Sequence, residues 1–390
     1  MTGAFAGLVI FFSVLSFSCS SQHERIIVGA EQTETYFSLL KNKKIAVVAN
    51  QTSMVGKSHL IDTLLKAGID IIKVFGPEHG FRGHAADGEL IQDKTDPKTG
   101  LPVISLYGKN KKPTKEQLIG LDLVIFDIQD VGTRFYTYIS TMSYVMEACA
   151  ENGVAFMVLD RPNPNGDFVD GPVLEPEHTS FVGLHPVPVV HGMTVGEYAQ
   201  MVNGEGWLKN GMQCDLIVIP VENYTHRTMY QLPVAPSPNL PNMTAIYLYP
   251  SLCFFEGTII SVARGTGFPF QAIGHPDYWL GSFTFTPESI PGISEHPPHE
   301  GETCNGQSLQ GYAENVVLKE RRLHLELLIE YYNYFKDKEI FFKPYFTRLA
   351  GTEKLQQQIE SGMTEDEIRD TWQKNLDSFK KIREKYLLYP

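Results

Sequence analysis

The pattern of residues predicts an α/β protein built on a doubly wound, mostly parallel sheet, and three observations carry that expectation. Several strand-length segments are continuous apolar runs, as in Ala46-Val47-Val48-Ala49 and Leu123-Val124-Ile125-Phe126; a strand covered on both faces reads this way, whereas a half-exposed one alternates. Segments with helical spacing separate these runs, so strand and helix alternate along the chain. The residues just past the strand ends are polar, and an open parallel sheet collects its functional groups there.

Taken in order, Tyr36 to Lys41 reads as a short helix, Lys44 to Asn50 as a buried strand, His59 to Ala67 as an amphipathic helix and Ile69 to Phe75 as a second strand. Leu101 to Tyr107, Leu121 to Phe126 and Val154 to Leu159 follow as strands, with a long helix from about Phe135 to Asn152 ended by Gly153. Val187 to Val190, then the helix Val195 to Asn203, and Asp215 to Val221 are expected to extend the same sheet. Between Asn223 and Gly274 prolines, glycines and aromatics crowd together, which fixes stiff extended loops. The boundary between a first domain (23–260) and a second (261–390) is expected there. Beyond it lie a Pro/His/Glu-rich loop from Thr286 to Thr303, a helix from Tyr312 to Phe335, and a charged helix from Thr364 to Tyr386 with Thr364 and Glu367 as its capping box.

Composition narrows the function classes. With 390 residues, 43% of them hydrophobic, the chain can bury an ample core. Its formal net charge of −12, with no stripe of Lys and Arg, argues against nucleic acid as a partner. Residues 1–22 read as a secretion signal, too short to span a membrane as a stable helix. Cys19 follows small residues at the end of that apolar run, the arrangement of a bacterial lipoprotein signal, so an exported, periplasmic or outer-membrane-anchored protein is expected, touching membrane only through a lipid at Cys19. Cys149, Cys214, Cys253 and Cys304 are too widely spaced for zinc or a disulfide framework and read as buried thiols.

The chemistry gathers past the strand ends. Gly76-Pro77-Glu78-His79-Gly80-Phe81-Arg82-Gly83 places an acid, an imidazole and a guanidinium among glycines after one strand, and Asn50, Asp127, Asp130, Asp160, Arg161 and His191 end others. Each has a structural reading as well: Asp127 or Asp160 as a helix cap, Asn163 and Asn165 as turn residues, His191 as a core histidine. Gly56-Lys57-Ser58 sits where a phosphate loop would, but Gln51 occupies the place of its first glycine. Gly265-Thr266-Gly267 lacks the third glycine of a dinucleotide fingerprint, with Phe270 in its place. His79, His84 and Asp87 could ligate a metal but match no familiar spacing, and no cofactor is expected. No Gly-x-Ser-x-Gly elbow exists, so an acyl-enzyme is disfavoured. Carboxylates with aromatics suit glycoside hydrolysis, in which one acid protonates the leaving oxygen and a second group serves the oxocarbenium-like centre.

Five segments, the Gly76–Gly83 loop, Asp127-Ile128-Gln129-Asp130-Val131-Gly132-Thr133-Arg134-Phe135-Tyr136-Thr137-Tyr138, Leu159-Asp160-Arg161-Pro162-Asn163-Pro164-Asn165-Gly166, His191-Gly192-Met193-Thr194 and Pro236-Ser237-Pro238-Asn239-Leu240-Pro241, together resemble the signature segments of the NamZ/YbbC-type exo-β-N-acetylmuramidases. The resemblance runs from about residue 25 to the C-terminus. It implies a Rossmann-like catalytic domain, a smaller C-terminal α+β domain, an active site in the cleft between them, and release of terminal β-linked N-acetylmuramic acid from peptidoglycan-derived saccharides. It places the acid at Glu78. The expected roles are then Asp130 or Asp127 as second carboxylate, His79 and His191 as orienting or sugar-binding groups, and Arg134 or Arg161, with Arg82 and Arg264 as contenders, holding the lactyl carboxylate bidentately. Asn50, Tyr136, Asp160, Asn163 and Asn239 complete the expected sugar-binding set. A substrate-assisted route through the acetamido oxygen stays open. So do a non-catalytic sugar-binding lipoprotein and a metal-dependent hydrolase at His79, His84 and Asp87.

Overall fold

The computed structural model describes Gly3 and residues 24–78, 80–81, 94–336 and 340–390. Cys19, His79, Arg82, His84 and Asp87 lie outside the described residues. Six parallel strands form the central sheet: β1 (Ile45–Ala49), β2 (Ile71–Gly76), β3 (Pro102–Ser105), β4 (Leu123–Asp127), β5 (Ala155–Leu159) and β6 (Leu216–Ile219). Their spatial order is β6-β5-β4-β1-β2-β3, with the short segment Lys94–Thr95 antiparallel on the β3 edge. Val47 of β1 stands beside Val74 of β2 and Ile125 of β4, so the winding direction reverses between β1 and β4.

The continuous apolar runs divide cleanly between the two faces. Ile45, Val47, Ala49, Ile125 and Met157 point to one side, against Tyr36 and Leu40 of helix α1 (Thr33–Leu40) and Leu60, Ile61 and Leu64 of α2 (Leu60–Lys66). Ala46, Val48, Val124, Phe126 and Phe156 point to the other, against α3 (Tyr138–Asn152) and α4 (Val195–Gly204). Gly153 adopts the left-handed conformation that ends α3 (φ 66°).

The second face does not close on those helices alone. Its core continues through α5 (Met243–Leu252) and the turn Cys253–Gly257 to Tyr331 and Phe335 of α6 (Glu326–Phe335), Phe346 of α7 (Tyr345–Ala350) and Trp372, Leu376 and Phe379 of α8 (Glu365–Arg383). A small antiparallel sheet made by 272–275, 283–285 and 304–308 sits in this half, with 304–308 in the middle. This is the α/β architecture expected, with a smaller C-terminal part.

Three elements differ from the sequence expectation. Pro188–Val190 does not join the central sheet; it pairs antiparallel with Asp170–Val173, and Val190 bridges Thr133. A proline has no N–H to give a ladder, and this strand begins with one. The helix expected over 312–335 is broken: Arg321 takes a left-handed conformation (φ 45°) and α6 starts afresh at Glu326. Gly56 (φ 58°) and Lys57 form the tip of a tight hairpin between Met54–Val55 and Ser58–His59, so no phosphate loop forms there.

Candidate active site

A cavity of about 440 Å³ opens beyond the carboxyl ends of the strands, between the two halves of the chain, a size that suits one or two sugar rings. Glu78 enters it from the turn after β2, where Gly80 (φ 74°) donates its N–H to the Pro77 carbonyl at 2.9 Å. The Thr137 hydroxyl, just before α3, donates to Glu78 Oε2 at 2.9 Å, tying the loop after β2 to the loop after β4. Tyr136 and Phe135 from that second loop, Tyr249 from α5 and Phe270 make an aromatic wall in edge-on contacts, with ring centroids 5.3 Å apart for Phe135–Tyr249 and 5.0 Å for Tyr249–Phe270. The proline-rich segment supplies Ser237, Asn239 and Leu240. It is fixed from behind, since Gln51 Nε2 donates to the Ala235 and Pro236 carbonyls (3.1 and 3.0 Å) and the Tyr138 hydroxyl to Pro236 (3.1 Å).

Polar groups without partners mark the walls. Among the described residues the buried Tyr136 hydroxyl, which faces the Tyr138 hydroxyl, and the buried Asn239 Oδ1 have no well-aligned hydrogen-bond partner, whereas Asn239 Nδ2 is anchored on the Ile293 carbonyl at 3.0 Å. A buried polar atom left unpaired costs free energy unless something arrives to pair it. Burial, with help from the charges of Glu78 and Asp130, raises the Tyr136 and Tyr138 hydroxyls well above a free tyrosine. Cationic groups come from Arg264, Arg348 and Lys111. Arg264 Nε pairs with Glu256 Oε1 at 2.5 Å, and Lys111 lies 4.1 Å over the Phe181 ring.

Of the expected site residues, Glu78, Tyr136, Asn239 and Arg264 therefore share this cavity, and the other described ones do not line it. Asp127 and Arg161 are buried and bond each other bidentately (2.6 and 2.9 Å), because β4 and β5 are neighbours, Asp127 ends β4 and Arg161 lies just past the end of β5. Arg161 borders a separate hollow of about 880 Å³, lined also by Met54, Tyr230 and Pro233. Arg134 is 1% exposed, and its guanidinium donates to the carbonyls of Pro172, Val187, Leu349 and Ala350 at 2.7–3.0 Å, leaving no fork for a substrate carboxylate. Burial pulls it down to about 10. Asp160 accepts from the Arg161 and Gly196 N–H groups and from the Thr194 and Tyr389 hydroxyls, a buried hub that burial pushes up to about 6. Asn163 joins the Met193 carbonyl to the Asn165 N–H, in contact with Gly132, where a Cβ would stand 2.2 Å from Asn163 Oδ1.

A second polar layer lies behind Tyr136. Asp130 Oδ2 accepts from the Gly132 N–H at 2.7 Å and lies 4.0 Å from His191 Nε2, while Asp130 Oδ1 and His191 Nε2 have no hydrogen-bond partner among the described residues. Burial pushes Asp130 up to about 7 and His191 down to about 3. Asn50 Oδ1 accepts from the Thr52 N–H and hydroxyl, and its amide faces the Tyr138 hydroxyl.

Among the described residues one group could hold a metal ion, His324, Glu326 and Glu365, none of which lines the cavity. Glu365 there already accepts from the Leu325 and Glu326 N–H groups and from Arg369, as a helix cap does. Sequence reasoning missed Glu256, Arg348, Lys111 and Thr137. Glu256 stands in the proline- and aromatic-rich stretch read as a rigid wall, and nothing in the local sequence marks Arg348 or Lys111.

Comparison with known proteins gives this geometry its context. The model of the exo-β-N-acetylmuramidase NamZ N-terminal domain matches residues 45–244, and that of the C-terminal domain matches 247–389. The chain belongs to the NamZ family. A peptidoglycan β-N-acetylmuramidase NamZ from Bacillus subtilis is 38% identical over 98% of both chains. Two crystal structures of DUF1343 family proteins from Bacteroides fragilis share the fold. One has TM-score 0.86 at 48% identity and the other 0.77 at 29%, each covering 94% of this chain and 99% of its own. The junction between the two NamZ matches falls at the start of α5, the helix that carries Tyr249 into the cavity.

Proposed function

We infer that this chain is an exo-acting glycoside hydrolase that releases terminal β-linked N-acetylmuramic acid from peptidoglycan fragments, with Glu78 as the acid that protonates the glycosidic oxygen. The observation that carries this reading, beside NamZ membership, is a carboxyl at a strand end, held by Thr137, inside a sugar-sized cavity walled by aromatic faces and unpaired polar atoms. Tyr136 and Asn239 have free hydrogen-bonding capacity for the sugar hydroxyls and the acetamido group. The lactyl carboxylate distinguishes this sugar, and Arg348 is our candidate to hold it: among the described residues it lines the cavity with no ion pair, whereas Arg264 has Glu256. A planar guanidinium accepts a carboxylate through two parallel bonds. We further propose that residues 1–22 export the protein and that Cys19 carries its lipid anchor, which incorporation of labelled palmitate, abolished in Cys19→Ala, would support.

A chromogenic N-acetylmuramide tests the activity. Wild type should release the aglycone, and Glu78→Gln should lose about 10²–10⁴-fold in kcat with its fold intact. Arg348→Ala should raise KM for the muramide about 10- to 100-fold, the worth of one charged hydrogen-bonded pair. No release by wild type would instead leave a sugar-binding protein.

A further inference from the structure

We propose that Glu256 is the second catalytic carboxylate of this cavity, the base that activates the attacking water. The proposal rests on the glycosidase reading above and supplies the group that reading lacks. Asp127 is fully buried against Arg161, and Asp130 is buried behind Tyr136, so neither reaches a sugar in the cavity. Among the described residues, the carboxylates that line the cavity are Glu78 and Glu256. The side chain of Glu256 is 21% exposed, against 0% for Asp127 and 5% for Asp130.

Its position is set from several sides. Glu256 lies in the turn Cys253–Gly257 that prolongs α5, and Gly257 packs directly on α7: a Cβ there would stand 2.4 Å from Phe346 Cα. Arg264 Nε bonds Oε1 at 2.5 Å, with the guanidinium 5.2 Å over the Phe270 ring, and the Cys253 thiol donates to Oε2 at 3.6 Å. Each oxygen thus has one neighbour fixing its direction and a lone pair to spare, the preorganisation a catalytic carboxylate needs. Structural ion pairs also look like this, but a purely structural pair has no reason to share a cavity with Glu78, Tyr136 and Arg348.

The step balances with water alone. As the C1–O bond breaks, its electron pair stays on the leaving oxygen, which takes the proton of Glu78; water oxygen bonds to C1 and gives a proton to Glu256. Solvent then returns a proton to Glu78 and removes one from Glu256.

The test uses the full-length chain and a nitrophenyl N-acetylmuramide, after wild type has been shown to turn it over, so that failure of the parent reading appears first and separately. Glu256→Gln should lower kcat about 10²–10⁴-fold with KM changed less than about threefold, and calorimetric binding of N-acetylmuramic acid should be retained, since Gln keeps the packing and can still meet Arg264. Glu256→Ala should regain at least about tenfold of its rate with sodium azide, a nucleophile that needs no deprotonation, and yield a glycosyl azide detectable by mass. A kcat within about tenfold of wild type in Glu256→Gln overturns the proposal. So does a rise in KM at unchanged kcat, which would make Glu256 a support for Arg264, or absence of azide rescue in an alanine variant that still binds the sugar.

Discussion

Replacing Arg134 with methionine separates a structural role from a substrate-binding one. Four carbonyls, from Pro172, Val187, Leu349 and Ala350, lose their donors. A buried acceptor left unpaired costs about 1–3 kcal/mol, so the gross loss is about 4–12 kcal/mol. Against it stands relief from burying a guanidinium with no carboxylate bonded to it, worth several kcal/mol. The net expectation is a loss of about 3–6 kcal/mol, out of the 5–15 kcal/mol that typically holds a domain together. Urea denaturation followed by tryptophan fluorescence, with a thermal melt beside it, measures this. The variant should melt about 6–12 °C below wild type, at about 2 °C per kcal/mol for a chain of this size. Because the same guanidinium joins the first half to α7, KM should worsen at temperatures where the variant is still folded. A variant that melts with wild type yet no longer prefers muramides would refute this reasoning and restore Arg134 as the lactyl clamp.

Asp130 offers a test in pH. Folding raises it from about 3.9 to about 7, so the folded state takes up a proton; the stabilisation is complete below about pH 4 and fades as pH rises through 7. His191, which faces it, moves the other way, from about 6.5 to about 3, and costs stability as pH falls below 6.5. The tyrosines near Asp130 (Tyr136, Tyr138 and Tyr198) stay neutral throughout this range. Asp130→Asn should therefore gain on wild type in stability between pH 5 and pH 8, by up to about 2.7 kcal/mol, since only the two pH units from pH 5 to the folded value near 7 count at 1.36 kcal/mol each; an equal gap at both pH values would count against a buried acid. Tyr136→Phe removes a buried hydroxyl that has no well-aligned partner among the described residues, so its melting temperature should hold or rise slightly while kcat/KM falls at least about tenfold. A matching loss of stability and activity would contradict that.

The parallel sheet was legible because strands buried on both faces cannot alternate, and β1, β2, β4, β5 and β6 all fall on the apolar runs. The segment Val187–Val190 looked the same locally, yet its Pro188 and its neighbour Asp170–Val173 took it out of the sheet. The rim was legible as a set of positions but not as a set of partners. Asp127 and Arg161 stand 34 residues apart, and only the adjacency of β4 and β5 makes them a pair rather than two ligands for a substrate. Arg134 reads as a loop cation until the C-terminal half arrives with Leu349 and Ala350 to receive it. Glu256 and Arg348 were hidden for the converse reason: they reach the cavity from a part of the chain whose sequence reports loop stiffness and helix packing, not chemistry.

The undivided core on the second sheet face has a consequence for synthesis. Trp372, Leu376 and Phe379, which help seal it, belong to the last helix to leave the ribosome. At about 5–20 residues per second the final third of the chain takes roughly 7–26 s to appear. For that interval α3 and α4 lie on the sheet with the rest of their shared core uncovered, a surface for a chaperone or for another nascent chain to occupy before the molecule can cover it.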